Sequence, residues 1–158
     1  MLSAARIKTH PIHPMLVGFP IACWTLSVVA DLYAAYTNQL HYFGYYLAAA
    51  GCVTALLAAI PGFIDLFGAI PAGHPARAIG WRHAVLNLLA LGLFAASVAT
   101  RPEPAYMSYL AYGTALAGLA VILVSGWLGG TLIYDHRVGV PEGVEDASRA
   151  TRGGTVPP

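Results

Sequence analysis

The sequence predicts an all-α protein whose four transmembrane helices form an up-down-up-down bundle. Hydrophobic residues make up 58% of its 158 residues and charged residues only 9%, a composition far from that of a soluble domain. Four apolar runs approach or exceed the roughly 20 residues that a helix needs to cross a bilayer. The lipid bilayer is therefore the first predicted partner, and the sparse charges, +1 in sum, exclude nucleic acid.

The four helices are predicted at about residues 14–36, 42–67, 83–100 and 105–134, within one membrane domain of residues 1–140. Arg6 and Lys8 resemble the charged start of a signal peptide. The apolar run after them is too long and has no small-residue cleavage site, so we interpret it as a retained helix. Pro20 should kink this helix, because proline removes a backbone hydrogen bond. Residues 141–158, rich in Pro, Gly, Ser and Thr, are predicted to form a disordered cytoplasmic tail.

Basic residues lie almost entirely on one side of the predicted bundle. Under the positive-inside rule that side is cytoplasmic, which places both termini inside (N-in/C-in) and predicts a multi-pass protein of the bacterial inner membrane. The inner basic residues are Arg6, Lys8, Arg77, Arg82, Arg137, Arg149 and Arg152, and the outer one is Arg101. The outer side instead holds the tyrosines of an interfacial belt. These are Tyr33, Tyr36, Tyr42, Tyr45, Tyr46, Tyr106, Tyr109 and Tyr112.

With this topology, side chains that can bind a metal or a cofactor gather at the cytoplasmic ends of the helices. They are His10 and His13 at the first helix, Asp65 at the second, His83 at the third and His136 at the fourth. Polar groups near the hydrocarbon are costly, so we interpret the cluster as a ligand site rather than as solvated helix ends. Of the remaining histidines, His74 is expected in an exposed inner loop and His41 on the outer side.

Residues one or two turns from these histidines add detail to the predicted site. Asn87 lies one turn after His83 on the same face, where it either hydrogen-bonds a ligand or joins helices. Gly129 and Gly130 precede His136 on the fourth helix, where they either give a bulky planar ligand clearance or pack helices closely.

Two kinds of occupant fit these residue types. Imidazoles from facing helices of a bundle are the usual axial ligands of haem b, and Arg77, Arg82 or Arg137 could pair with its propionates. A transition-metal ion held by several imidazoles and Asp65 fits equally well, and ligand types alone do not separate Zn, Cu and Fe. Asp65 lies at the helix end that disfavours an anion, so a histidine N–H or Arg82 is its expected partner.

The stretches that contain these residues resemble an uncharacterised bacterial family of small four-helix membrane proteins, a domain of unknown function. The resemblance extends from His10 to about Val140 and rests on HPIHPMLVGFPIA, GFIDL, WRHAVLN and GWLGGTLIYDHRVGV, in that order. Some members are joined to Rieske-type iron–sulfur modules, which favours electron transfer. The family motifs select His10, His13, Asp65, His83, Asn87, Gly129, Gly130 and His136, and they leave out His41 and His74.

We therefore expect haem b binding and electron transfer at the cytoplasmic face, with quinol or a redox partner subunit as electron partner. The alternatives are a membrane protein or enzyme that binds Zn, Cu or Fe, and a structural or assembly subunit of a membrane complex. A homo-oligomer is compatible with each. The predicted ligands are His13, His83 and His136, from three helices, with His10 as a fourth. No catalytic nucleophile is evident, so the sequence gives no ground for assigning or excluding an enzymatic activity.

Overall fold

The computed structural model describes residues 1–39, 41–101 and 108–140. The predicted tail, residues 141–158, and the predicted start of the fourth helix at residue 105 lie outside these residues. Two short strands, β1 (Arg6–Ile7) and β2 (His10–Pro11), pair in antiparallel fashion. The helices are α1 (Ile12–Leu16), α2 (Gly18–Thr37), α3 (His41–Gly68), α4 (Pro75–Ala99) and α5 (Tyr109–Tyr134).

Four helical segments are long and apolar enough to cross a membrane, which confirms the predicted all-α class with four spans. They are Ile12–Thr37, Tyr42–Gly68, Pro75–Ala99 and Tyr109–Tyr134. Large apolar side chains are mostly exposed on the bundle surface, where lipid would solvate them. The interior consists mainly of small residues with Trp24 and Phe94 among them. Small interior residues let helix backbones approach closely in a membrane.

The third span begins two turns earlier than predicted, at Pro75 rather than His83. Proline is favourable in the first turn of a helix, where its missing N–H has no intrahelical partner to lose. His74 precedes it as the N-cap residue, and its Nδ1 accepts a hydrogen bond from the Ala76 N–H at 3.1 Å. Pro71 and Pro75, together with Arg77 and Arg82, led the sequence-based prediction to assign this stretch to a loop.

The first span is interrupted at Val17, between α1 and α2. Pro20 lies three residues later and has no N–H to donate to the carbonyl of Leu16. This interruption does not change the backbone angles of Val17, which stay helical (φ −62°, ψ −23°), so the predicted kink at Pro20 stays a prediction. It separates the short segment that carries His13 from the long helix behind it.

The helices form two antiparallel hairpins, α2 with α3 and α4 with α5, which are the most extensive helix contacts in the structure. In the first hairpin, His13 lies opposite Gly62 near the end of α3, and Asp31 lies opposite Gly44 near its start. We call the end of the bundle that contains His13 the histidine end.

The two hairpins repeat the same contacts at constant spacings along the chain. Trp24 lies against Gly51 of the next helix, and Phe94 lies against Gly118 in the same way. The two aromatic residues are 70 positions apart in the chain, and the two glycines are 67 positions apart. The other matching pairs at the spacing of 70 are His13 and His83, Ser27 and Ser97, and Asp31 and Arg101. An approximate two-fold axis along the bundle therefore relates the hairpins, as in a parallel internal repeat.

Side chains of the two hairpins meet on this axis. Trp24 stacks on Phe94 with ring centroids 4.6 Å apart and an interplanar angle of 3°. Beyond them, Arg101 donates to both carboxylate oxygens of Asp31, at 3.0 and 2.9 Å, and both side chains are fully buried. This ion pair was not predicted from the sequence, because Arg101 was assigned to the outer loop.

Removing one charge of this pair should destabilise the bundle strongly. Arg101→Ala leaves the Asp31 carboxylate buried without a partner, which costs about 3–5 kcal/mol. Equilibrium unfolding with SDS in mixed micelles measures the loss. The double variant Asp31→Asn/Arg101→Gln contains no unpaired charge and should recover most of the stability. An Arg101→Ala protein as stable as the wild type would show that the pair does not join the hairpins.

Candidate functional site

His13 of α1 and His83 of α4 lie across the axis from each other, with ring centroids 6.2 Å apart and ring planes at 87°. Each imidazole is fixed by the other helix of its own hairpin. Nδ1 of His13 donates to the Ala58 carbonyl at 2.8 Å, and Nδ1 of His83 donates to the Ser125 carbonyl at 2.9 Å. Because a carbonyl oxygen only accepts, both Nδ1 atoms hold a proton, and in the neutral imidazole Nε2 then has a lone pair. We call these two residues the histidine pair.

A glycine one turn after each acceptor residue makes room for the ring. A Cβ atom on Gly62 would lie 2.9 Å from Cε1 of His13, and one on Gly129 would lie 3.1 Å from Cε1 of His83. Both distances are shorter than an ordinary van der Waals contact, so a side chain at either position would displace the imidazole. The hairpins thus build the same half-site from a histidine, a carbonyl and a glycine.

A cavity of about 330 Å³ adjoins the histidine pair. Its volume lies near the lower end of the roughly 300–1,000 Å³ of small-molecule sites. The lining is mostly apolar, and its side chains with polar groups are His13, His83, Asn87, Asp65 and Trp24. Ile21, Leu88 and Ile133 line the cavity and are also exposed on the bundle surface. The cavity therefore adjoins the surface that lipid would cover.

Asn87 breaks the symmetry of the histidine pair. Its Nδ2 donates to Nε2 of His83 at 3.0 Å and to the His83 carbonyl at 2.9 Å. The matching position in the first hairpin is Val17, one turn after His13, which also lines the cavity and has no donor in its side chain. Among the residues that the structure describes, none hydrogen-bonds Nε2 of His13. The lone pair of His83 is therefore engaged, whereas that of His13 is open.

Asp65 has partners other than those predicted. The Ser3 hydroxyl donates to its carboxylate, 2.7 Å from Oδ1 and 2.9 Å from Oδ2, and the Ala5 N–H donates to Oδ1 at 2.9 Å. The expectation of a histidine or Arg82 as partner is wrong, because the segment before β1 folds back under α3 and supplies the donors. Asp65 thus fastens this segment to the histidine end.

Three predicted site residues lie away from the histidine pair. His136 packs edge-on against His74, with ring centroids 5.8 Å apart, and does not line the cavity. His10 is exposed in β2 and lines only a separate, open depression. Arg82 is exposed on α4 and is not part of the cavity wall. All three belong to the histidine end, but none of them lines the cavity beside the pair.

Gly130 lines the cavity beside Gly129, as expected of residues near a planar ligand. Gly62 and the two carbonyl acceptors, Ala58 and Ser125, were not predicted from the sequence. The spacing of 67 positions that relates Gly51 to Gly118 also relates Gly62 to Gly129. A comparison of the two halves of the sequence would therefore have identified Gly62. In the described part of the chain, no three or more His, Cys, Asp or Glu side chains form a group that could hold a metal ion.

Alanine substitutions separate the glycines of the two half-sites from an unconstrained glycine nearby. No atom lies within 4 Å of the position that a Cβ on Gly126 would occupy, so Gly126→Ala should stabilise α5 by about 0.5–1 kcal/mol through backbone entropy. Gly62→Ala and Gly129→Ala should instead destabilise by about 1 kcal/mol, because the displaced ring loses its hydrogen bond to the carbonyl. SDS unfolding measures all three. Equal stabilisation by all three would contradict the half-site geometry.

Comparison with known proteins gives a family but no function. No curated protein and no solved structure matches the chain. A family model described as "Predicted membrane protein (DUF2231)" matches residues 9–142, a range that includes all four spans and the histidine pair. The resemblance inferred from the motifs is thereby confirmed. The chain belongs to this family of predicted membrane proteins, a domain of unknown function.

Proposed function

We propose that the protein binds haem b between His13 and His83 and transfers electrons at the histidine end. The observation that supports this most is the distance between the two rings. Two imidazoles bound on opposite sides of one metal ion, with metal–nitrogen bonds of about 2 Å, have centroids about 6 Å apart. The centroids of the histidine pair are 6.2 Å apart.

The hydrogen bonds at Nδ1 also support axial ligation. Histidines that bind a metal almost always donate their other N–H to a carboxylate, a carbonyl or water, which fixes the tautomer and the orientation of the ring. Both histidines of the pair already do this, through the carbonyls of Ala58 and Ser125.

The cavity suits a planar apolar ligand at the cost of one rearrangement. Its apolar lining and its glycines, Gly129 and Gly130 among them, favour a flat macrocycle over a hydrated ion. The Asn87 amide occupies the lone pair of His83 and has to rotate away before that nitrogen binds iron.

The proposed electron transfer is confined to the histidine end. The Trp24–Phe94 stack and the Asp31–Arg101 pair fill the axis beyond the cavity, so a second haem has no place there. Quinol in the bilayer or a redox partner subunit would exchange electrons with this haem. Lining residues that are exposed to lipid, such as Ile21 and Leu88, give a lipid-soluble quinol a route to the cavity.

The histidine end is proposed to face the cytoplasm of a bacterial inner membrane. The described basic residues at this end are Arg6, Lys8, Arg77, Arg82 and Arg137. Arg101, the basic residue assigned to the other end, is neutralised by Asp31. This distribution follows the positive-inside rule and supports the N-in/C-in orientation.

A transition-metal ion without porphyrin is the second candidate, and the ligand count disfavours it. A structural zinc site needs four protein ligands and a catalytic one usually three. The histidine pair offers two, and the described residues contain no larger group. A porphyrin, by contrast, supplies four nitrogens itself and leaves two axial positions to the protein.

Visible absorption of the purified full chain from haem-sufficient cells tests the proposal. We expect a Soret band in the wild type and its loss or marked shift in His13→Ala and His83→Ala, because each removes an axial ligand. His10→Ala and His136→Ala are the matched controls and should keep the band, since neither residue contacts the pair. Metal analysis of the same samples identifies stoichiometric zinc or copper.

A wild-type protein without a Soret band would contradict the proposal. Stoichiometric metal without porphyrin would favour the second candidate, and neither metal nor haem would favour a structural or assembly role. A band that persists in the His13→Ala/His83→Ala double variant would place haem elsewhere in the protein.

A further inference from the structure

We propose that Asn87 makes the two faces of the histidine pair unequal, so that iron is held firmly by His13 and exchangeably by His83. A small exogenous ligand of haem iron, of the class that carbon monoxide represents, can then take the place of His83. This inference rests on the proposed haem site. It adds a ligand-binding face that electron transfer alone does not require.

The first step is a competition for one lone pair. Nε2 of His83 already accepts a hydrogen bond from Asn87 at 3.0 Å, and it gives this up when it binds iron. Nε2 of His13 has no such bond to lose among the described residues, so its ligation is free of this cost. A neutral hydrogen bond of ordinary strength shifts an equilibrium by roughly three- to tenfold. The bond from iron to His83 is weaker than that to His13 by about this factor.

The second step concerns the imidazole after it leaves the iron. His83 is anchored by Ser125 at Nδ1 and by Asn87 at Nε2, so both ring nitrogens have partners. A buried polar group with its hydrogen bonds satisfied is stable there, whereas an orphaned one is not. Asn87 therefore stabilises the displaced form of His83 and leaves the sixth position on that side of the iron open.

The third step is that the two half-sites otherwise match. The carbonyl acceptor and the clearing glycine recur on both sides, and position 17 holds Val where position 87 holds Asn. The Ser125 hydroxyl is a further polar difference, 3.1 Å from His83, but it lies at Nδ1 and does not engage Nε2. The inequality between the two lone pairs thus depends on Asn87.

Carbon monoxide titration of the ferrous, haem-loaded full chain tests the inference. The wild type should bind carbon monoxide, and Asn87→Val should bind it about three- to tenfold more weakly, because the displaced His83 has lost its partner. His83→Ala should keep haem and bind carbon monoxide more tightly than the wild type, since no imidazole competes. His13→Ala should lose most of its haem.

The internal repeat supplies a matched control. The exchange Val17→Asn/Asn87→Val moves the amide to the equivalent position beside His13, where the backbone N–H of residue 17 already donates to the His13 carbonyl at 3.2 Å. Carbon monoxide binding should return in this double variant. In its background, His13→Ala should be the variant that keeps haem, so the roles of the two histidines are reversed.

The outcomes separate the inference from the proposed function. A wild type without a Soret band overturns both. A wild type with a Soret band, but with the same carbon monoxide affinity as Asn87→Val, overturns the inference and leaves the haem site standing. Equal haem retention in His13→Ala and His83→Ala also overturns it. SDS unfolding of each variant verifies that any loss of binding does not come from loss of fold.

Discussion

The ion pair between Asp31 and Arg101 joins the two hairpins across the bundle axis, where both side chains are fully buried. Lipid provides no hydrophobic driving force between helices, so specific polar and aromatic contacts have to set how the hairpins meet. The ion pair does this at one end, and the stack of Trp24 on Phe94 does it in the middle. If either side chain moved away from the axis, the other charge would stay buried without a partner. The cost of this unpaired charge fixes the register of α2 against α4.

The histidine pair continues the same axis, and a cavity adjoins its two rings. Its rings are anchored to their own hairpins through Nδ1 and stand 6.2 Å apart without a direct hydrogen bond between them. An approximately two-fold site of this kind suits an occupant with two equivalent faces, which a metalloporphyrin has. Asn87 departs from the two-fold arrangement because it hydrogen-bonds Nε2 of His83 and has no counterpart beside His13. We attribute the difference between the His13 and His83 faces of the site to this residue.

Hydropathy predicted the four spans well because length and apolar composition decide membrane insertion. It missed the start of α4 at Pro75, because a proline and two arginines, Arg77 and Arg82, interrupt the apolar run there. It assigned Arg101 to a loop because it treats a charge as exposed. Grouping the polar residues by the end of the helices correctly brought His13 together with His83. It also included His136, which follows the end of α5 and does not line the cavity. The repeat that relates the halves escaped notice because few identical residues mark it. His13 and His83 are identical, whereas Asp31 corresponds to Arg101, and only their contacts show that these positions match.

The proposed haem site requires that His13 and His83 bind one iron from opposite sides on the bundle axis. Electron paramagnetic resonance of the ferric, haem-loaded protein tests this most directly, because the signal depends on the axial ligands and on the angle between their planes. With ring planes at 87°, we predict a low-spin signal with the strong anisotropy of perpendicular imidazoles. A high-spin signal from the wild type, or a low-spin signal that His83→Ala leaves unchanged, would contradict it.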